Sequence, residues 1–300
     1  MIRHLLAAAV LSVALPAVPA FAQASATAAR TMPSRTSLKW VGSRGPVVVL
    51  IPGLSSPAAV WDRVVPTLAA DHRVLLVEVN GFATPRAPEG AAKPGLLDGV
   101  LADISAELKA ARNPGKAAIV GHSLGGLLAM RMGIEHPEQV DRLMVVDALP
   151  FFGVLMDPEG TAASVEPRAA MMRDMMARNA EAMRARAGQP VTGDPQNGMS
   201  NTPEGRRKVA AWSLNADPLV VGQAMYEDVV TDLRKDIAKI AVPMTVLHQS
   251  DPASTTDEVY IRDYAAQPRA KLVPITDSAH FIMLDQPDRF AAELAAFLRR

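Results

Sequence analysis

Gly-His-Ser-Leu-Gly at residues 121–125 constrains the fold of this 300-residue chain more than any other feature. A short apolar run at residues 116–120 leads into it, and a helix-like run at residues 126–133 leads out. That order reads as strand, tight turn and helix, with Ser123 at the apex. A serine hydroxyl is a weak nucleophile, so it needs an exposed position, a nearby base and donors for the oxyanion it creates. Gly121 and Gly125 permit the strained turn that lifts Oγ out of a sheet, and Gly126 lets the helix pack closely behind it.

Around this motif the pattern alternates between strands and helices. Strands are expected at residues 46–51, 73–79, 116–120, 140–146, 243–248 and 270–275. Helical spacing covers residues 57–70, with Trp61, Val64, Val65 and Leu68 on one side, and residues 96–111. A terminal helix at residues 287–299 carries Phe290, Leu294, Phe297 and Leu298. Continuous apolar strands joined by helices argue for a parallel sheet covered on both faces. Residues 150–239 interrupt this regularity without a convincing strand, and read as a helical cap that includes a methionine-rich stretch at 166–187. The α/β core is then formed by residues 38–149 and 240–300.

Nearly half of the residues are apolar, enough for one large core. Thirty-one basic and 31 acidic side chains balance, which removes the electrostatic case for nucleic acid or an anionic membrane as partner. Cysteine is absent, so there is neither a disulfide framework nor a thiolate metal site. At the N-terminus a short positive start precedes an apolar run, residues 5–15, too short to span a membrane, and small residues follow at Ala20 and Ala22. A signal peptide over residues 1–22 is expected, cleaved before Gln23 or two residues later, which would export the protein to the periplasm or the medium. Residues 23–37 read as a flexible leader.

An activated serine needs a histidine, and the histidine a carboxylate that holds its tautomer. Loops after the carboxyl ends of parallel strands meet at one edge, where Ser123 and His280 would both project. His280 is the expected base, whereas His122 is expected to point away from the active face. Asp251 follows a strand and falls between serine and histidine in chain order, which favours it as the triad acid. Asp147, also at a strand end, is the rival. Backbone amides of Leu124 and Leu54 are the expected oxyanion donors, with the hydroxyl of Ser55 or Ser56 as the alternative to Leu54. Phe151, Phe152, Leu155 and Trp212 are candidates for the acyl side of a pocket, and the methionine-rich helix either lines that pocket or packs the cap.

Together these residues resemble the α/β-hydrolase superfamily over residues 38–300. The resemblance rests on Pro52 and Gly53 with Trp61, the 121–126 elbow, Ser250-Asp-Pro at 250–252, and Ala279-His-Phe at 279–281 with Leu284, Gln286 and Pro287. It implies a mostly parallel eight-stranded sheet flanked by helices, a cap after the strand that follows the elbow helix, and a triad of Ser123, Asp251 and His280. Three departures stand out: Pro52 replaces a frequent histidine, Gln249 a glycine shortly before the acid, and Ala279 the glycine before the histidine. The implied chemistry is acyl transfer to and from Ser123 on a small to medium apolar carboxylic ester, lactone or thioester, with no metal or organic cofactor. A C–C bond hydrolase or cofactor-free peroxidase on the same triad, or a ligand-binding protein that has kept the fold, are the alternatives.

Overall fold

A computed structural model describes residues 34–111, 115–196, 198–251 and 253–299. The expected signal peptide, its cleavage site, the leader up to residue 33, and Pro252 lie outside them.

Seven strands form one sheet: β1 (Thr36–Val41), β2 (Val47–Ile51), β3 (Arg73–Val79), β4 (Ala117–His122), β5 (Val140–Val146), β6 (Met244–Gln249) and β7 (Lys271–Ile275). Their order is β1-β3-β2-β4-β5-β6-β7, with β1 antiparallel to β3 and every other neighbour parallel. The expected count of eight is therefore corrected to seven among the described residues. β2 and β4 are buried at every position, as strands covered on both faces must be. β1 begins two residues inside the segment read as leader. As an edge strand with only Thr36 fully buried, it lacks the apolar run that marks the inner strands.

The helices are α1 (Val65–Leu68), α2 (Leu96–Ala110), α3 (Leu124–Glu135), α4 (Ala162–Arg178), α5 (Ala180–Arg184), α6 (Pro203–Leu214), α7 (Pro218–Val230), α8 (Thr256–Asp263), α9 (Ile282–Asp285) and α10 (Pro287–Leu298). On one face Leu97, Leu101 and Ile104 of α2 and Leu127 of α3 belong to the core that includes Val49, Ile51 and Ile119. On the other, Phe290, Leu294 and Phe297 of α10 share a core with Val48, Leu50 and Val120. Each of those α10 side chains contributes roughly 1.5–3 kcal/mol by leaving water. The helix expected at 57–70 is instead a 3-10 turn at Ala58–Trp61 followed by the short α1. Pro66 explains the break, because a proline nitrogen cannot donate within a helix and is tolerated only in its first turn.

Between β5 and β6 the chain leaves the sheet for the cap, which contains α4 to α7. Thr161 and Ser164 form a reciprocal capping box at the start of α4. The methionine-rich stretch divides at Asn179 into α4 and α5, and Met171 and Met175 face solvent rather than a cavity. Two carboxylates fasten α7 to the core. Asp217 accepts from the amides of Leu219 and Ala87 and from Arg184, at 2.7–3.1 Å. Glu227 accepts from the amides of Gly95, Leu96 and Leu97 at 2.8–3.0 Å, capping α2 where its dipole favours an anion.

Candidate active site

The strands' carboxyl edge concentrates the backbone strain of this fold. Among the described residues only Ser55, Ser123, Asp147 and Asp277 are non-glycine residues with positive φ, at 50–55°. They follow β2, β4, β5 and β7 respectively. Such conformations cost of order 1–3 kcal/mol and persist where the surroundings over-determine them, typically at functional sites. At Ser123, φ is 53° and ψ is −124°, between the last residue of β4 and the first of α3. The turn is so tight that a Cβ on Gly121 would lie 1.9 Å from the Gly125 carbonyl oxygen. A Cβ on Gly125 would lie 2.3 Å from that of Ile51. Ser123 thus stands at an elbow that only glycines on both sides allow.

His280 donates from Nδ1 to Asp147 Oδ2 at 2.6 Å. Asp147 is buried, and its Oδ1 accepts from the Tyr260 hydroxyl at 3.0 Å and the Gln249 amide at 2.8 Å. Three donors hold that carboxylate in one orientation, and burial together with the Asp147 charge pushes the Tyr260 hydroxyl well above its usual range, so Tyr260 remains a donor. With Nδ1 engaged, His280 has Nε2 free to act as a base.

This pairing overturns the expectation that Asp251 orients the histidine. Asp251 is exposed, and its Oδ1 accepts from the Ala253 amide two residues on, a local turn cap. Tethering of the histidine loop accounts for the switch. His122, expected to face away, donates from Nε2 to the His280 carbonyl at 3.0 Å and packs its ring 4.7 Å from that of His280. Burial, and then the nearby His280, push the His122 ring well below the usual histidine range, which keeps it neutral. Held above β4, the His280 ring meets the end of the adjacent β5.

The two residues expected as oxyanion donors follow β4 and β2. Leu124 opens α3, and Leu54 lies in a turn closed by the Ser56 amide donating to the Gly53 carbonyl at 3.1 Å. Both leucine side chains pack into the core, and neither backbone amide has a protein acceptor among the described residues.

Ser123, Asp147 and His280 line one cavity of about 250 Å³. Ala148, Leu149, Phe152, Leu155, Val259 and Tyr260 supply most of its apolar lining, and Gln249, Ser254, Thr255, Thr256 and Asp228 its polar groups. Phe152 and Leu155, two of the candidates for the pocket, are among its lining residues. Phe151 is not: its ring is fully buried beneath the Arg234 guanidinium, 4.4 Å away. Trp212 packs against Phe281 on the opposite core, outside the cavity. Tyr260, Gln249 and Asp228 had no motif to announce them, since each reaches the site through tertiary packing.

Burial pushes the Asp228 carboxyl up to about 7, from an ordinary 3.8. Between those values the folded protein holds a proton that the unfolded chain has lost, so stability falls as pH rises through that window. The total is at most about 4 kcal/mol. Asp228→Asn should therefore gain on wild type by a few kcal/mol between pH 4 and pH 8 in denaturant titrations. A stability difference that stays constant over that range would mean the carboxyl is already ionised in the fold.

A model of the alpha/beta hydrolase family matches residues 48–293. The chain belongs to that family. It is 28% identical over 268 residues to the pimeloyl-[acyl-carrier protein] methyl ester esterase of Vibrio atlanticus, covering 88% of this chain and 99% of that one. The corresponding protein of Nitrosomonas europaea is 27% identical over 263 residues, 83% and 94% of the two chains. Among solved structures, the enol-lactonase of Burkholderia xenovorans LB400 superposes with a TM-score of 0.67 at 20% identity, over 88% of this chain and 96% of that one. A thermophilic esterase of Thermogutta terrifontis gives 0.70 at 18% identity, over 88% and 93%. This alpha/beta hydrolase shares its fold with both.

Proposed function

We propose that the protein is a serine hydrolase that cleaves carboxylic esters through an acyl-enzyme. The observation that carries this reading is the His280–Asp147 hydrogen bond of 2.6 Å on the same cavity as a strained Ser123. In the first half-reaction Ser123 Oγ attacks the ester carbonyl while His280 Nε2 takes its proton. The amides of Leu54 and Leu124 stabilise the oxyanion, each such donor being worth on the order of 3 kcal/mol. As the C–O bond breaks, His280 returns that proton to the departing alkoxide. Water then attacks the acyl-enzyme, giving its proton to His280, and the acid leaves as Ser123 recovers it. The names of the curated relatives support an ester as the bond cleaved, and methyl esters belong in any substrate series.

The test is a series of methyl and p-nitrophenyl esters of increasing acyl length, with mass spectrometry for an acyl adduct on Ser123. Activity should peak at short to medium chains, because a cavity of about 250 Å³ holds a small acyl group. Inert esters beside hydrolysed diketones, or peracid formation, would move the reading to the C–C bond hydrolase or peroxidase chemistry of the same residues. We further propose export, on the signal-like residues 1–22. Sequencing of the periplasmic or extracellular form should find Gln23 or Ser25 first, and an intact Met1 in the cytosol would overturn it.

A further inference from the structure

Two neighbouring carboxylates on α7 have opposite surroundings. Glu227 is answered by three backbone amides. Asp228, only 6% exposed, lines the cavity that holds Ser123 and His280, and its carboxyl has no hydrogen-bond or ion-pair partner among the described residues. It stands in the last turn of α7, where the negative end of the helix dipole further disfavours a carboxylate. A buried acid without a partner is costly, and this one caps no helix and bridges no two elements. The protein supplies no donor to this carboxyl, which lines the cavity where a ligand can supply one.

We propose that Asp228 is a specificity-determining residue that receives the ammonium group of an amine-bearing ester. This rests on the ester-hydrolase reading of Ser123 and His280. An ammonium offers three donors and the opposite charge to a carboxylate, whereas a hydroxyl offers one donor and no charge, and a second carboxylate would repel it. Leu149, Phe152 and Leu155 can cover a methylene chain between the ester and the amine. The predicted substrate is thus a linear aliphatic ester ending in a protonated amine. Near neutral pH the empty site would hold the acid partly protonated, and the arriving cation would draw it to the carboxylate form.

The experiment compares methyl ω-amino esters from methyl 6-aminohexanoate upward with their methyl-terminated isosteres, such as methyl heptanoate. It uses the full chain, Asp228→Asn and Asp228→Leu, with methanol release as the readout. Wild type should favour the ammonium member of at least one pair by about tenfold or more in kcat/KM, mostly through KM. Asp228→Asn should lose most of that ratio, and Asp228→Leu should reverse it. A second measurement reads binding alone: n-hexylammonium chloride should raise the Tm of wild type and of Ser123→Ala, but not of Asp228→Leu. Hydrolysis of both members without preference, or a preference that survives Asp228→Leu, overturns the proposal and leaves the ester reading standing. Stabilisation by n-hexylammonium that requires Asp228, without cleavage of any ester, overturns the ester reading and leaves the ammonium site standing. The absence of both the cleavage preference and the Asp228-dependent stabilisation would rule the site out.

Discussion

Ser123→Ala is expected to lower the kcat for ester hydrolysis by about 10⁴-fold or more. The size follows from geometry: Ser123 is the hydroxyl at the elbow, and alanine there has no atom to form the acyl bond. His280→Ala should cost a comparable factor. The double variant should be hardly worse than either single one, because nucleophile and base act as a unit. Thermal unfolding is the control, since alanine keeps the backbone of this position and the packing of the glycines around it. Equal hydrolysis by wild type and Ser123→Ala would end the assignment of the nucleophile.

Asp147→Asn should lower kcat by about 10⁴-fold, because an amide in place of Oδ2 can present its NH₂ to His280 Nδ1 and stabilise the wrong tautomer. The same change at Asp251 should leave kcat within about twofold. That side chain caps its own exposed turn, and surface substitutions away from such sites have small effects. Tyr260→Phe removes one of the two donors to Asp147 Oδ1 and should fall between the two. Parallel kcat measurements on the three variants decide the matter. If Asp251→Asn is the inactive variant, the carboxylate pairing described here is wrong in solution.

The contrast between the two aspartates shows where the sequence was legible. Both follow an apolar strand, and chain order favoured Asp251. Local pattern carries no information about which strand end a distant loop reaches. That loop is drawn over β4 by the His122 Nε2 hydrogen bond to the His280 carbonyl, and a contact between residues 158 positions apart leaves no trace in spacing. The same limit explains Phe151 and Phe152, adjacent aromatics of which one enters the cavity and the other turns under Arg234. It also explains β1, whose pattern of partial burial comes from its place at the edge of the sheet.

Ser123 and its glycines were different, because their constraint is local. A strand that turns into a helix within one residue needs small neighbours whatever the rest of the molecule does. The inner strands were readable for a related reason: cover on both faces demands an unbroken apolar run, which β2 and β4 have. By itself, then, the amino-acid sequence determined the parallel sheet, the strand-turn-helix elbow and the run of helices between β5 and β6. Tertiary structure alone decided which carboxylate the histidine meets and which side chains wall the cavity. It also left Asp228 without a partner. Backbone sterics and hydrophobic periodicity act over a few residues, whereas hydrogen bonds across the site depend on how segments far apart in the chain are packed together.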